Sequence, residues 1–326
     1  MSERLIPPFH YRVGWRPRSW RPGEHRASVS GDGGAFRGER LLTDASQARS
    51  VSVRATIRDP LRRWWVRENQ QRATLDLFVL VDVSRSMRVA AGGNYCRAAA
   101  DLLASAALSA YRGGDRVGAV CASHRIDPYL QVAPTRQVQP AFELARRLRA
   151  MPGEQTARAH GQDSVDGMLD VWRRLSMRRS LVLLVSDFHA PVDTWTAIFG
   201  TLRHHQVVPV VMRDEAALPE LPAWGLVHLD DAESGYSRTL FMRPSLQRRL
   251  TASVEQRQAR LEAMFESLGL LPCYLRQPFD PAQLTAHFHS AGFRPSGSGS
   301  GPASPVATDA IQASPDSRTR RLQPAQ

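Results

Sequence analysis

Residues 75–87 read LDLFVLVDVSRSM, an apolar, β-branched run that ends in an aspartate followed by two serines at alternate positions. Short apolar runs bounded by polar residues indicate buried strands, and strands covered on both faces of a sheet lack polar alternation. Asp82 is therefore expected at the carboxyl end of a central parallel strand, where open α/β sheets bind their ligands.

The polar side chains at the end of this strand admit two interpretations. Asp82, Ser84 and Ser86 offer hard oxygen donors from one loop, a set that suits Mg²⁺ or Mn²⁺ better than Zn²⁺. Alternatively, the aspartate and the serines cap the helix that follows. These residues by themselves leave both interpretations open.

A second apolar run, residues 181–187 (LVLLVSD), also ends in an aspartate. Carboxylates at the ends of adjacent parallel strands can meet at one switch point of a sheet without being close in sequence. Asp187 either joins Asp82 in one site or caps a turn at the end of its own strand.

Predicted strands and helices alternate along the rest of the chain, which favours an α/β fold with a doubly wound, mostly parallel sheet and helices on both faces. Further strands are predicted at residues 116–122, 128–132, 207–212, 226–229, 238–241 and 270–275. Helices are predicted at residues 95–111, 140–151, 194–205, 243–268 and 281–288. Another helix after residue 162 is expected to direct an apolar set towards the core, namely Val165, Met168, Leu169, Trp172 and Leu175.

The segment before residue 75 carries weaker patterns. Residues 51–57 alternate apolar with polar side chains, which predicts a half-buried strand, and residues 64–67 are expected to pair with it across a turn. Trp15 and Trp20 are interleaved with arginines, a mixture that nucleic-acid-binding proteins use for base stacking and phosphate contacts. The alternative is an extended arm whose tryptophans pack against the protein's own core.

The composition excludes several reactions. The chain has 326 residues and a net charge of +12, and all 43 of its basic residues are arginine, since the sequence contains no lysine. P-loop nucleotide hydrolysis, protein-kinase chemistry and pyridoxal chemistry each require a lysine, so none of them is available to this chain.

Cysteine usage and hydropathy predict a soluble, cytoplasmic protein. Cys96, Cys121 and Cys273 are odd in number and show no paired spacing, which indicates neither a disulfide framework nor a zinc site. The first 20 residues contain no apolar region of the length of a signal peptide. No run of 18 apolar residues is present, so no membrane span is expected.

Several separated motifs resemble, in the expected order, domain-of-unknown-function family fifty-eight, a bacterial von Willebrand factor A-like family that accompanies MoxR-type AAA+ ATPases. These motifs are Asp82-x-Ser84-x-Ser86, RATIRDP at 54–60, VRE at 66–68, GDRVG at 114–118 and RSLVLLVSDF at 179–188. The resemblance covers roughly residues 45–290. The beginning of the chain, with Tyr11-Arg12-x-x-Trp15, resembles the short branch typified by MxaS of methanol-oxidation clusters.

The resemblance implies a metal-ion-dependent adhesion site. In such a site Ser84 and Ser86 would bind a divalent cation through their hydroxyls, and Asp82 and Asp187 mostly through bound water. The ion would be Mg²⁺, with Mn²⁺ or Ca²⁺ as alternatives. With few direct carboxylates the ion stays electrophilic, so an acidic group of a partner can take its open position.

The middle loop departs from this pattern. The family places a threonine there, but alignment of the following helix by its apolar residues puts Asp163 at that position, with Ser164 beside it and Thr156 seven residues earlier. Asp163 is included as a candidate ligand that would lower the electrophilicity of the ion; the alternative is a middle loop that does not coordinate.

Enzyme mechanisms fit the motif poorly. A haloacid dehalogenase-type phosphatase needs a second carboxylate at position 84, where this chain has serine, and a lysine that it lacks. A serine hydrolase would combine Ser84 or Ser86 with Asp187 and His189, but no Gly-x-Ser-x-Gly elbow is present. In addition, Asp187 and His189 are expected to point in opposite directions.

The function predicted from sequence is a non-enzymatic, metal-dependent protein-binding adaptor. By resemblance its partners are a MoxR-type AAA+ ATPase and other von Willebrand A proteins, in the maturation or assembly of a client complex, with methanol dehydrogenase as one candidate. An arginine-rich protein associated with nucleic acid is the alternative, although the arginines are scattered and match no reader motif.

Four segments follow from this interpretation. They are an Arg/Trp/Gly-rich N-terminal arm (1–44), a β lead-in (45–74), a von Willebrand A-like domain (75–293) and a tail (294–326). The tail is predicted to be disordered because its apolar residues are too sparse to offset the entropy of ordering.

Overall fold

The computed structural model describes residues 6–15, 25–44, 51–88, 94–151, 164–213, 224–230 and 237–290. Its strands are β1 (His25–Leu41), β2 (Trp65–Ala73), β3 (Asp76–Asp82), β4 (Arg116–Ala122), β5 (Ile126–Thr135), β6 (Leu181–Ser186), β7 (Gln206–Met212), β8 (Gly225–Asp230), β9 (Ser237–Met242) and β10 (Cys273–Leu275). Its α-helices are α1 (Val53–Arg58), α2 (Arg85–Arg88), α3 (Tyr95–Arg112), α4 (Gln139–Arg149), α5 (Val192–Leu202), α6 (Pro244–Ser267) and α7 (Pro281–Ser290). A 3₁₀ helix covers Asp166–Arg174.

The central sheet has six strands in the order β10-β7-β6-β3-β4-β5. β3 lies in the middle and is parallel to both β4 and β6. β7 and β10 continue the parallel arrangement, whereas β5 is an antiparallel edge strand beside β4. The predicted α/β class with a mostly parallel sheet is therefore confirmed.

Both faces of the sheet are covered, which explains why β3 lacks polar alternation. Leu77, Val79 and Val81 belong to a core that includes α3, α4 and α7. Phe78 and Leu80 point the other way, into a core shared with α5, α6 and the 3₁₀ helix. Because each side chain has an apolar layer to enter, every residue of β3 is buried.

Asp76 is the polar residue at the opposite end of β3 from Asp82, and an ion pair accounts for its burial. Its two carboxylate oxygens accept hydrogen bonds from Nε and Nη2 of Arg116, each 2.7 Å long. This two-pronged geometry gives the pair a fixed orientation. It joins the amino-terminal ends of β3 and β4, at the opposite edge of the sheet from Asp82.

A close contact explains a glycine in the middle of β4. Gly118 is opposite Phe78 in the parallel register, and a Cβ at residue 118 would lie 2.7 Å from the ring. The carbonyl oxygen of Val132 on β5 would lie 3.3 Å from the same Cβ, so the sheet is closed on that side as well.

Replacing Gly118 by alanine is expected to lower the free energy of unfolding by about 1–3 kcal/mol, because the added methyl group overpacks a closed core. Gly200→Ala is the matched control. A Cβ at Gly200, in α5, meets no atom within 4 Å. That variant should gain about 0.5–1 kcal/mol from helix propensity. Urea unfolding of both variants measures the difference, and equal stabilities would contradict the packing explanation.

The predicted strand at residues 51–57 is wrong, because residues 53–58 form helix α1. Ser52 is the N-cap of this helix, and its side chain accepts a hydrogen bond from the backbone N–H of Ala55. The alternation of apolar and polar residues therefore did not reflect a strand face. The antiparallel partner of β2 is β1. From residues 51–57, Val51 forms an isolated bridge to Val66, and the backbone N–H of Ser52 donates to the carbonyl oxygen of Trp65.

Asp59 holds the turn between α1 and β2. Its carboxylate accepts hydrogen bonds from Nε of Arg63 (2.7 Å), the backbone N–H of Leu61 (3.0 Å) and Nε1 of Trp65 (2.9 Å). These bonds, with the one from Arg63 the strongest, hold the pKa of Asp59 well below its usual range. The aspartate of the RDP motif thus has a structural role in the lead-in segment.

The helix predicted after residue 162 is a 3₁₀ helix, and this changes which side chains it buries. A 3₁₀ helix has three residues per turn, so side chains three apart share a face. Val165, Met168 and Val171 are buried in this spacing, whereas Trp172 is 47% exposed. The predicted inward position of Trp172 is therefore wrong, since it assumed the wider turn of an α-helix.

The described part of the N-terminal arm, residues 6–15, packs against the domain. Phe9 is buried, and its backbone N–H donates to the hydroxyl of Ser109 on α3. Trp15 packs at the edge of the same core, and the guanidinium of Arg179 lies 5.4 Å from its ring centroid. Trp15 therefore packs against the protein's own core, which was one of the two predicted alternatives. Trp20 and its neighbours lie outside the described residues.

None of the helices described in the structure is both long enough and apolar enough to cross a membrane. Cys96, Cys121 and Cys273 carry free thiols, and all are buried. The tail beyond residue 293 lies outside the described residues, and the division of the chain into arm, lead-in and domain stays a prediction.

Candidate metal centre

Asp82 ends β3 as a buried carboxylate that is held by two neighbouring segments. It is 1% exposed. Its Oδ1 accepts a hydrogen bond of 2.8 Å from the backbone N–H of Ser84, in the turn that follows the strand. Its Oδ2 accepts a bond of 2.7 Å from the hydroxyl of Ser186, the last residue of β6. The adjacent parallel strands thus fix both oxygens.

Ser84 and Ser86 extend this cluster across the start of α2. Their hydroxyl oxygens share a hydrogen bond of 3.1 Å. The Ser84 hydroxyl also lies beside the Asp82 carboxylate, and the Ser86 hydroxyl lies beside that of Asp187, close enough to lower their pKa values. Ser84 lies in the turn after β3 and Ser86 in the first turn of α2, so the two serines join the end of the strand to the start of the helix.

Asp187 lies directly after β6 and contacts His189. Its Oδ1 accepts from the backbone N–H of His189 at 3.1 Å, and its Oδ2 lies 3.0 Å from the imidazole Nδ1. The residue between them, Phe188, has a φ of 54°. Side chains two residues apart on a strand share a face, so the expectation that Asp187 and His189 point in opposite directions is wrong. The left-handed conformation of Phe188 then bends the backbone between them.

The structure thus brings four of the five predicted site residues into one cluster, made by Asp82, Ser84, Ser86 and Asp187 and called the Asp/Ser cluster below. The fifth candidate, Asp163, lies outside the described residues, as does Thr156. Ser164 is described, and its hydroxyl donates to Asp166 at 2.9 Å. The role of all these residues as metal ligands stays a prediction.

The two carboxylates of the cluster have opposite pKa shifts. Burial raises the pKa of Asp82 to about 7, and the negative charge of Asp187 adds to this effect. Burial also acts to raise the pKa of Asp187, but hydrogen bonds from His189 and Ser86 outweigh it and hold the pKa below its usual value. Ionisation of both carboxylates at neutral pH is therefore opposed by their mutual repulsion.

The donor set fits a hard divalent cation. Two hydroxyls and two carboxylates offer only oxygen atoms, which Mg²⁺ prefers. A cation among them would also neutralise the repulsion that raises the pKa of Asp82. Within the described residues no group of three or more His, Cys, Asp and Glu side chains is placed to hold a metal ion. Any binding here would therefore depend on the serine hydroxyls.

Sequence reasoning missed two residues of this site, Ser186 and His189. Ser186 is fully buried. Its hydroxyl donates a hydrogen bond to Oδ2 of Asp82 and accepts one of 2.9 Å from the backbone N–H of Phe188. A polar residue directly before Asp187 in an otherwise apolar strand was the available sign. His189 was considered only as a hydrolase base, because its contact with Asp187 depends on the bend at Phe188.

The order of groups in the cluster differs from that of a hydrolase triad. In a triad, histidine lies between the nucleophilic serine and the aspartate. Here the carboxylate of Asp187 lies between the Ser86 hydroxyl and the His189 imidazole. His189 is therefore not placed to take a proton from Ser86, and the Asp187–His189 contact does not by itself support a hydrolase.

The fold and the site define an α/β protein with a buried Asp/Ser cluster at the carboxyl edge of a mostly parallel sheet. Comparison with known families then gives its membership. Residues 46–260 match the family described as "Protein of unknown function DUF58". Because the match spans more than half of the chain, the protein belongs to the DUF58 family.

Individual proteins are also similar in sequence. An uncharacterized protein of Mycobacterium tuberculosis is 28% identical over 230 residues, which cover 69% of this chain and 68% of that protein. A protein of Paracoccus denitrificans, named for its position in the moxR 3′ region, is 35% identical over 98 residues, which cover 30% of this chain and 93% of that protein.

Solved structures are similar at a lower level. BatB from Bacteroides thetaiotaomicron aligns over 66% of this chain and 98% of its own, with 12% identity and a TM-score of 0.39. An aerotolerance-related membrane protein from Bacteroides fragilis aligns over 66% and 97%, with 11% identity and a TM-score of 0.38.

Proposed function

We propose that this protein is a non-enzymatic, metal-dependent adaptor of the von Willebrand factor A type that binds a partner protein through the Asp/Ser cluster. The observation that carries the proposal is the meeting of two carboxylates and two serine hydroxyls in one cluster, at the ends of β3 and β6 and the start of α2. The bound ion would supply an open position for an acidic group of the partner. Mg²⁺ is the ion that this set of oxygen donors favours.

The chain's own residues prepare the site. Ser186 and the backbone N–H of Ser84 orient the Asp82 carboxylate, and His189 orients that of Asp187. Asp82, Ser84 and Asp187 are buried, whereas the side chain of His189 is 51% exposed and Ser86 is half-buried. A partner would therefore approach from the side of Ser86 and His189.

The proposed partner is a MoxR-type AAA+ ATPase. The name of the Paracoccus relative, which places it in the moxR 3′ region, supports this choice. The absence of lysine, and hence of a P-loop, agrees with a division of labour in which the ATPase supplies the energy. We propose a cytoplasmic role in maturation or assembly of a client complex; methanol dehydrogenase as the client rests on the sequence resemblance.

A capture experiment tests the adaptor. Immobilised protein is incubated with a purified MoxR-type ATPase from the same organism in Mg²⁺ buffer, and capture is expected to be lost with EDTA and with the Asp82→Ala, Ser84→Ala double variant. Asp82→Asn keeps the shape of the side chain but removes its charge. It should also lose capture, which would show that the loss does not come from misfolding. Glu143→Ala, at an exposed carboxylate of α4, should capture normally.

Capture that survives both EDTA and the double variant would refute the metal-bridge mechanism. Salt-dependent binding to generic DNA that also survives EDTA would favour the nucleic-acid alternative.

A further inference from the structure

A cleft lies beside the Asp/Ser cluster, between α6 and the segment that joins β6 to α5. Its volume is about 900 Å³, within the range of ~300–1,000 Å³ that is usual for ligand pockets. One wall is His189 and the residues after it, up to Thr196 in the first turns of α5. The other wall is a stripe of α6 from Ser253 to Ser267.

The dimensions of the cleft suit an extended peptide. The stripe on α6 covers 14 steps of the helix, from 253 to 267, or ~21 Å at 1.5 Å per residue. An extended chain rises by ~3.4 Å per residue, so about six residues of a bound segment would span this length. The stripe recurs every three or four positions, which keeps its side chains on one face of the helix.

The charges that line the cleft are mainly positive. Arg257 and Arg260 are exposed on the α6 wall, and Asp193 is the acidic side chain on the opposite wall. Arg257 donates one Nη2 hydrogen bond to the carbonyl oxygen of Phe188, at 3.2 Å. A guanidinium has five N–H donors, so most of those of Arg257 stay available. Arg260 has no hydrogen bond or ion pair with any residue described in the structure.

The cleft and the Asp/Ser cluster share a boundary. His189 lines the cleft and also contacts Asp187 through its imidazole. The bond from Arg257 to Phe188 fastens α6 to the residue between them. A chain lying in the cleft would therefore run directly to the exposed side of the cluster.

We propose that the cleft binds an extended acidic segment of a partner protein, whose carboxylates pair with Arg257 and Arg260. The inference rests on the proposed function in one respect: a further carboxylate of the same segment reaches the Asp/Ser cluster. The choice of partner then comes from the cleft, since paired charges at an exposed surface mainly select among partners.

An acidic peptide fits the walls better than a nucleic acid. Grooves for single-stranded nucleic acid combine positive charge with aromatic side chains on which bases stack. No Phe, Tyr or Trp is among the described residues that line this cleft. Apolar side chains such as Pro191, Val192 and Met264 lie between the charges instead, and these suit the aliphatic parts of a peptide.

Fluorescence anisotropy of labelled octapeptides tests the proposal. The probe alternates glutamate with alanine, and the reference peptide replaces every glutamate by glutamine. In Mg²⁺ buffer the full-length protein should bind the glutamate peptide and not the glutamine peptide. Arg260→Glu should weaken binding about fivefold or more, because it removes one pair and adds a like charge. A lysine–alanine peptide should bind Arg260→Glu better than wild type.

Arg249→Glu is the matched control, because it makes the same charge change on the same helix outside the cleft. The 11 residues from 249 to 260 correspond to ~16 Å of helix, which exceeds the screening length of ~8 Å at physiological salt. Arg249→Glu should therefore change the affinity less than twofold. Equal affinities of wild type, Arg249→Glu and Arg260→Glu would overturn the assignment of the cleft.

The two proposals fail in different ways. If Arg260→Glu weakens binding but EDTA and Asp82→Asn have no effect, the cleft assignment stands and the metal bridge falls. If EDTA and Asp82→Asn weaken binding but Arg260→Glu does not, the metal bridge stands and the cleft assignment falls. An oligothymidylate that displaces the peptide from wild type and binds more tightly would overturn the acidic peptide in favour of nucleic acid.

Discussion

Replacing Asp82 by asparagine is expected to favour the folded, metal-free protein more at pH 8 than at pH 4. The free energy of unfolding of Asp82→Asn minus that of wild type should be about 4 kcal/mol larger at pH 8 than at pH 4. This energy corresponds to the difference between the folded pKa of Asp82, about 7, and its ordinary value of 3.8. Asparagine keeps an oxygen acceptor for the N–H of Ser84, and its amide can donate to the hydroxyl of Ser186. What it removes is the buried charge that faces Asp187.

The sign follows from proton binding. The folded state holds the proton of Asp82 more tightly than the unfolded state, because its pKa is raised. As the pH rises from 3.8 to about 7, the unfolded chain ionises first, and the stability contributed by this residue is lost. Above pH 7 both states are ionised and the loss is complete. The asparagine variant has no such group, so its stability curve should lack this decline.

Urea unfolding of wild type and Asp82→Asn at several pH values, in buffer with EDTA, measures the difference. Mg²⁺ should shrink the difference at pH 8, because a bound cation would neutralise the repulsion between Asp82 and Asp187. Parallel curves for the two proteins between pH 4 and pH 8 would contradict the raised pKa of Asp82 in the folded state.

Mg²⁺ at about 100 times its dissociation constant is expected to raise the melting temperature of the wild type by roughly 5–10 °C. A ligand at this concentration that binds only the folded state contributes about 2.7 kcal/mol. For a domain of this size each kcal/mol shifts the melting temperature by roughly 2–4 °C. Ser84→Ala with Ser86→Ala should abolish the shift, because it removes both hydroxyl ligands.

Ser290→Ala, at an exposed hydroxyl of α7, is the control and should keep the full shift. Differential scanning calorimetry with Mg²⁺, Ca²⁺ and EDTA makes the comparison and also identifies the preferred ion. An equal Mg²⁺-dependent shift in the wild type and in the double serine variant would show that the ion binds elsewhere in the protein.

Sequence patterns located the sheet because its strands are buried on both faces. β4 was predicted with its observed bounds, and β3, β6 and β7 within one or two residues, since each is a continuous apolar run between polar residues. The long amphipathic helix α6 and the buried helix α3 were equally evident from their apolar spacing. Local patterns of this strength reflect burial directly, so the observed bounds of these elements lie close to the predicted ones.

Short segments were harder to predict. The alternation of apolar and polar residues at 51–57 is compatible with a strand. The N-cap formed by Ser52 and the turn at Asp59 stabilise a helix instead. Similarly, the apolar residues of 165–175 fit either kind of helix, and contacts with the sheet select the narrower turn that exposes Trp172. In the first segment a few local side-chain hydrogen bonds decide between the competing conformations, and in the second the packing on the sheet does.

The candidate site could also be predicted from the sequence only in part. Asp82, Ser84, Ser86 and Asp187 could be named from the sequence, because the ends of two apolar parallel strands must lie at one edge of a sheet. Their hydrogen-bonding order, the bridging hydroxyl of Ser186 and the cleft beside α6 could not, since they depend on side-chain positions across elements.

The amino-acid sequence by itself determined a mostly parallel α/β sheet and the two strand ends at which polar oxygens gather, because the burial of apolar runs is a local and additive property. Only the tertiary structure decided that the backbone bends at Phe188, so that His189 contacts Asp187, and that α6 brings Arg257 beside this pair. The hydrogen bond from Arg257 to Phe188 joins residues 69 positions apart, and its geometry exists only once the layers have packed.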